Sequence, residues 1–169
     1  MKKAVLISLI MLLVLPALAF GLTNGNKSNT PYGNSTLPEG WKGIPWGASP
    51  NEFGDSIFIV MKLGKVEVYA ENWPYNSTIG VFLLFYQNQF KCLAFYCKNI
   101  KIFAEMMDQF KRYGKPQVML VKNKIRFVWE NGTNVIIATP DDLTVLIGTL
   151  KGIADIGQEI EGKIGKQSL

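Results

Sequence analysis

The chain has 169 residues, 48% hydrophobic and 18% charged, with no histidine and two cysteines. That composition suits one compact domain rather than a disordered or multidomain protein. Without histidine there is no Ser-His-Asp or Cys-His nucleophilic machinery and no histidine-based zinc site, and two cysteines are too few for an iron–sulfur or all-cysteine zinc centre.

The first segment reads as an export signal. Met1-Lys2-Lys3 is a positive n-region, Ala4 to Leu15 is apolar apart from Ser8, and Pro16-Ala17-Leu18-Ala19 ends in an A-x-A cleavage site. The apolar core is about 12 residues long, where a membrane-spanning helix needs about 20. Cleavage is expected after Ala19, which divides the chain into a signal at 1–19, a flexible Asn/Gly/Ser/Thr/Pro-rich leader at 20–40, one α+β domain at 41–150 and a C-terminal helix or tail at 151–169. The expected product is periplasmic or secreted, with no transmembrane span after cleavage.

Loss of Lys2 and Lys3, with no acid alongside them, lowers the formal charge from +5 to +3. A charge this small gives no ground for nucleic-acid binding. Its distribution is uneven: residues 91–126 hold nine basic and two acidic residues, while 20–90 carry −1 and 127–169 carry −3. Such a run reads as a solvated face, or as a patch for an acidic partner, lipid headgroup or glycan.

Within the domain, Trp41-Lys42-Gly43-Ile44-Pro45-Trp46-Gly47 places two large aromatics in a Gly/Pro-rich stretch. Ser49 and Glu52 form a capping-box pattern with Pro50 at the first helical position, which predicts a short turn over 50–54. Residues 56–62 and 65–70 read as a hairpin, and 78–86 as a strand buried on both faces. Gln87-Asn88-Gln89 turns the chain into a strand over 90–97, where Lys91 alternates with Phe90 and Cys92.

The clearest helix spans 99–114. Asn99 is its cap, Phe103, Met106, Met107, Phe110 and Tyr113 form its apolar face, and Gly114 stands where a left-handed C-cap is wanted, with Pro116 beyond. Lys101–Glu105 and Asp108–Arg112 fall at i,i+4 spacing on the polar side. Strands follow over 117–122, 125–130, 133–139 and 143–148, with Asn131-Gly132 predicting a type I′ hairpin turn. Residues 149–163 fit a C-terminal helix weakened by Gly152 and Gly157, expected to pack loosely or fray. The fold class is therefore α+β: two layers, a mainly antiparallel sheet of about six to eight strands covered by one amphipathic helix, with a short C-terminal helix.

Cys92 and Cys97 stand five residues apart on one strand, which separates their Cα atoms by about 16 Å against the roughly 7 Å a disulfide spans, so no bridge is expected between them. No metal ligand set and no cofactor motif is present, since neither G-x-G-x-x-G nor a P-loop pattern occurs.

Trp41–Ser49, Phe90–Cys92 and Phe110-Lys111-Arg112-Tyr113-Gly114-Lys115-Pro116 resemble a loose group of uncharacterised small exported bacterial proteins. These carry an aromatic-x-G-I-x-W-G segment after the signal peptide, a "Phe…Gly-x-Pro" helix end and a hairpin similar to Phe127-Val128-Trp129-Glu130-Asn131-Gly132. The resemblance implies an exported α+β domain and carries no catalytic residue. The leader here lacks the lipobox cysteine of some such proteins, a departure that leaves a lipid anchor without its attachment point.

The functional expectation is a non-enzymatic domain that binds an envelope protein, lipid headgroup or glycan through Trp41 and Trp46 or through Lys111, Arg112 and Lys115, with no catalytic residue assigned. The alternative is a carboxylate-dependent envelope hydrolase acting on glycans. That chemistry needs two carboxylates about 5 to 9.5 Å apart, for which Glu67, Glu71 and Glu130 are the candidates.

Overall fold

The computed structural model describes residues 36–71, 79–121 and 123–164. The expected signal, most of the leader and Lys122 of the basic run lie outside them. In chain order the described elements are β1 (Gly40–Trp41), β2 (Ile44–Pro45), a 3-10 segment (Pro50–Ser56), β3 (Ile57–Leu63), β4 (Val66–Glu71), β5 (Ile79–Tyr86) and β6 (Gln89–Cys97). Then come α1 (Ile100–Phe110), a 3-10 turn (Lys111–Tyr113), β7 (Gln117–Val121), β8 (Lys124–Glu130), β9 (Asn134–Thr139), a second such turn (Pro140–Asp142), β10 (Thr144–Thr149) and α2 (Leu150–Ile164).

Strands β3 to β10 form one antiparallel sheet in the order β3-β4-β5-β6-β10-β9-β8-β7, and β1 pairs with β2 separately. The α+β class and the antiparallel sheet follow the expectation from periodicity. Two four-stranded meanders meet where β6 pairs with β10, from Thr144 opposite Tyr96 to Gly148 opposite Cys92. After β6 the chain must reach the far margin of the sheet before β7 can start. Helix α1 makes that crossing, which is why a single amphipathic helix stands between the meanders.

Strand alternation divides the core into two clusters. Leu83, Phe85, Leu93, Phe95, Trp129, Ile136, Ala138, Val145 and Ile147 face one way, against Phe103, Phe110 and Tyr113 of the α1 segment and Leu37, Ala48 and Phe53 of the N-terminal segment. Leu84, Cys92, Ala94, Val128, Val135, Ile137 and Leu146 face the other way, with Ile153, Ile156 and Ile160 of α2. A sheet covered on both sides explains why β5, β6, β9 and β10 are continuous apolar runs rather than alternating ones.

Helix α2 corrects the expectation of loose packing. Ile153, Ile156 and Ile160 are at most 2% exposed, and full burial of three such side chains is worth about 1.5–3 kcal/mol each. Gly152, counted against the helix by propensity, permits close approach instead: a Cβ there would lie 2.7 Å from the Cβ of Lys91. Gly148 is tighter still, since a Cβ would collide with Cys92 Cβ and lie 2.5 Å from Lys91 O.

The register explains that crowding. Leu84 pairs with Cys92 but Phe85 pairs with Phe90, so Lys91 is the extra residue of a bulge. Phe90 and Cys92, which strict alternation would put together, therefore enter opposite cores. Core packing also reaches back to Leu37, 3% exposed, inside the stretch expected to be leader.

Two local expectations change in detail. Asn131-Gly132 does join a hairpin, but as part of a three-residue loop in which only Gly132 has positive φ (87°) and Asn131 Oδ1 accepts from the N–H groups of Thr133 (3.2 Å) and Asn134 (2.8 Å). The two-residue turn with both φ positive is Gln87-Asn88 (52° and 60°). Asn99 caps α1 as expected, accepting from Ile102 N–H at 3.1 Å. Gly114 takes φ 88° but ψ −164°, which is not the left-handed helical cap.

Candidate functional site

The Trp41–Trp46 loop is the first candidate. Lys42 and Gly43 have φ of 52° and 82°, which closes a tight turn and sets both tryptophans on the α1-side core. Trp41 meets Phe95 edge to face at 5.4 Å, and its indole N–H donates to Glu71 Oε1 at 2.6 Å. Trp46 lies 4.8 Å from Phe90 and donates to Pro38 O at 3.1 Å. Both indoles are half-buried with their polar handles satisfied, so they seal the margin of the core. The capping box at Ser49 and Glu52 is formed, with Ser49 N–H donating to Glu52 Oε1 at 2.9 Å.

Two of the three acidic candidates, Glu67 and Glu71, are paired with lysines. Glu67, Tyr69 and Glu71 alternate along β4, and four residues of extended chain put Glu67 and Glu71 Cα atoms about 13 Å apart. Lys62 Nζ lies 2.5 Å from Glu67, and Tyr69 Oη donates to Glu67 at 3.3 Å. Lys42 Nζ lies 3.0 Å from Glu71, beside the Trp41 bond. Glu67 raises the pKa of the Lys62 ammonium through its hydrogen bond and charge. Burial first, and then Glu67, push the Tyr69 phenol up. Glu130 lies on β8, with four strands between it and β4 in the sheet order. Glu67 and Glu71 thus each tie neighbouring side chains to the β4 strand.

The two cysteines enter opposite cores and both are buried, with no disulfide. Desolvation pushes both thiols above the ordinary range. Among the described residues, no group of three or more Asp, Glu or Cys is placed to hold a metal ion.

The basic run is dispersed by the fold. Arg126 is buried on β8 at 2% exposure, its pKa lowered by desolvation and opposed by Asp142. Lys124 Nζ lies 2.6 Å from Asp142. What stays at the surface is the segment after α1. Lys111 pairs with Asp108, so the expected Asp108–Arg112 pair gives way to an i,i+3 pair. Arg112 instead stacks on Tyr113, its Cζ 4.8 Å from the ring centre, and donates to the phenol oxygen at 2.7 Å. Lys115 is exposed, with no carboxylate partner among the described residues.

The hairpin that follows this segment in sequence carries an apolar stripe that the sequence pattern did not single out. Val118 is 66% exposed, Leu120 72% and Ile125 46%. Leu120 pairs directly with Ile125 and Val118 with Phe127, so all four share one face of the β7–β8 hairpin. On β8 that face runs from Ile125 through half-buried Phe127 to Trp129, which is 3% exposed and donates to Gly114 O at 2.9 Å. The α1 side therefore closes over Trp129 and leaves the far part of the hairpin open. Beyond the stripe, β7 is the last strand of the sheet. Its outward N–H and C=O groups have no strand partner among the described residues.

Searches of protein-family models, curated proteins and solved structures match nothing to this chain.

Proposed function

We propose that the protein is an exported, non-enzymatic domain that binds a protein partner, and that its binding surface is the β7–β8 margin. The observation that carries this reading is the stripe of Val118, Leu120 and Ile125. Large apolar side chains on an unpaired strand are an association hazard that sheet proteins normally suppress with charge, proline or bulges, none of which interrupts Gln117–Val121. A contiguous apolar margin with exposed Lys115 two residues before its strand has the make-up of an interaction site. Export rests on the three-part signal pattern at 1–19. The non-enzymatic character is supported by the local neutralisation of Glu67 and Glu71 and by the lack of histidine.

Site-specific photo-crosslinking in the producing cell tests both parts. A crosslinker at Val118 should trap a discrete protein adduct, and one at Gln158, exposed on α2, should not. Mass spectrometry of the recovered protein should find Phe20 at its N-terminus. Equal crosslinking at both positions, or none at Val118, overturns the binding surface. A retained Met1 overturns cleavage.

A further inference from the structure

Resting on that reading, we infer that the β7 margin takes an extended peptide as a ninth strand, and that the peptide carries alternating apolar residues with acidic residues at its ends. Three features of the molecule lead to this ligand.

The first is backbone geometry. Gln117 to Val121 pair with Val128 to Lys124 in unbroken register, with no bulge. The outer side of β7 therefore presents an evenly spaced ladder of the kind that strand addition uses. The second is side-chain alternation. Val118 and Leu120 stand on the same face beside Phe127 and Ile125, so a strand laid along β7 sets every second side chain next to that stripe. Apolar residues at alternate positions of the ligand would lengthen the stripe and cover it.

The third is charge. Residues 111–126 contain six basic residues and no acid. Two of these are paired and a third is buried: Lys111 pairs with Asp108, Lys124 with Asp142, and Arg126 is 2% exposed. Exposed Lys115 stands two residues before β7 and Lys122 follows Val121 in sequence, so positive charge flanks the strand in sequence at both ends. The same charge argues against a second copy of this chain. An antiparallel self-pairing centred on Met119 would set Lys115 of each copy opposite Asn123 of the other, next to Lys122 in sequence, and so gather like charges at both ends of the new pair. An acidic-ended peptide turns that repulsion into attraction.

The test uses the chain from Phe20 and a fluorescein-labelled peptide, Glu-Asp-Val-Thr-Val-Thr-Val-Asp-Glu, read by fluorescence anisotropy. The expected result is saturable binding, weakened about tenfold when the four acids become lysine, and weakened again on going from about 0.02 to 0.2 M NaCl. Methylating alternate backbone nitrogens of the peptide should abolish binding while leaving every side chain in place. The double variant V118S/L120S should bind about tenfold more weakly or worse, and Lys115→Glu about fivefold more weakly. Urea unfolding of both variants establishes that they fold.

Unchanged binding of the N-methylated peptide overturns strand addition, and equal binding of the acidic and lysine peptides overturns the charge preference. If no peptide binds but the Val118 crosslink persists and is lost in L120S, the ligand class is wrong and the binding surface stands. If ultracentrifugation then finds a dimer that V118S/L120S dissociates, the occupant is a second copy and the inference falls. Loss of both the peptide and the crosslink at Val118 removes the proposed function along with it.

Discussion

At one margin of the sheet, β3 carries a register break between Ile59 and Met61, a Lys62–Glu67 ion pair, and two exposed apolar side chains, Phe58 and Ile59, that point to opposite faces. At the other, β7 has unbroken register and no charge, and its exposed Val118 and Leu120 share a face with Ile125. Both margins carry exposed apolar side chains. The difference is arrangement: β3 interrupts the ladder a new strand would follow and scatters its apolar groups, while β7 keeps the ladder and lines them up. Edge protection is the ordinary requirement of an open sheet, so its absence on one side alone is what supports the proposal of β7 as the binding margin.

The largest test of this contrast is stability. Glu71 lies under the β3 side with its side chain 4% exposed, holding the Trp41 indole and the Lys42 ammonium. Glu71→Ala leaves both groups without that acceptor and should cost about 2–3 kcal/mol in urea unfolding. V118S/L120S removes surface that the folded chain already leaves in water, and should cost about 1 kcal/mol or less in total. A double variant at β7 as damaging as Glu71→Ala would mean that β7 is part of the core and would end the comparison.

An intermediate effect is expected in self-association. Leu120→Lys places a charge in the middle of the β7 ladder, the device that natural edges use. Aggregation on heating should fall, with a change in unfolding free energy within about 0.5 kcal/mol. Ile59→Lys, on a margin already broken by its bulge, should alter aggregation much less. Light scattering during a thermal ramp reads both. Equal effects at the two sites would show that the bulge at β3 gives no protection.

Much of this architecture is legible from local pattern, and the exceptions have identifiable physical causes. Asn99 and the Phe103–Phe110 face define α1 because capping and 3.6-residue periodicity act within one turn or two. The bulge at Lys91 is not legible, because it depends on Gly148 opposite Cys92, a contact between residues more than fifty positions apart. Gly152 counts against a helix by propensity, yet its lack of a side chain lets α2 lie against Lys91. The candidate site follows the same rule. Lys111, Arg112 and Lys115 stand out in sequence as charge, but whether Val118 and Leu120 are core or surface depends on sheet order, which places β7 last. The one local sign was available: Val118-Met119-Leu120-Val121 is apolar on both alternations and bracketed by Lys115 and Lys122, a run that is either central or an exposed margin.

The smallest expected effect concerns Tyr69 and Glu67 on β4, beside the β3 margin. Tyr69 donates to Glu67 across 3.3 Å, and Glu67 keeps Lys62 as its main partner, so Tyr69→Phe should cost about 0.5 kcal/mol at neutral pH. Its signature lies in alkaline solution. Burial and the Glu67 charge raise the phenol's pKa in the folded state, so the folded chain holds that proton after the unfolded chain, titrating near pH 10, has begun to release it. Stability from this group is therefore complete below about pH 10 and is lost as pH rises through the higher folded value. Absorbance at 295 nm should show one late-titrating tyrosine that disappears in Tyr69→Phe, and the variant should lose less stability than the parent above pH 10. Peptide binding at β7 involves no group of this kind on its own strand, so Tyr69→Phe should leave it unchanged. A binding change in that variant would show that the two margins are coupled through the sheet rather than independent.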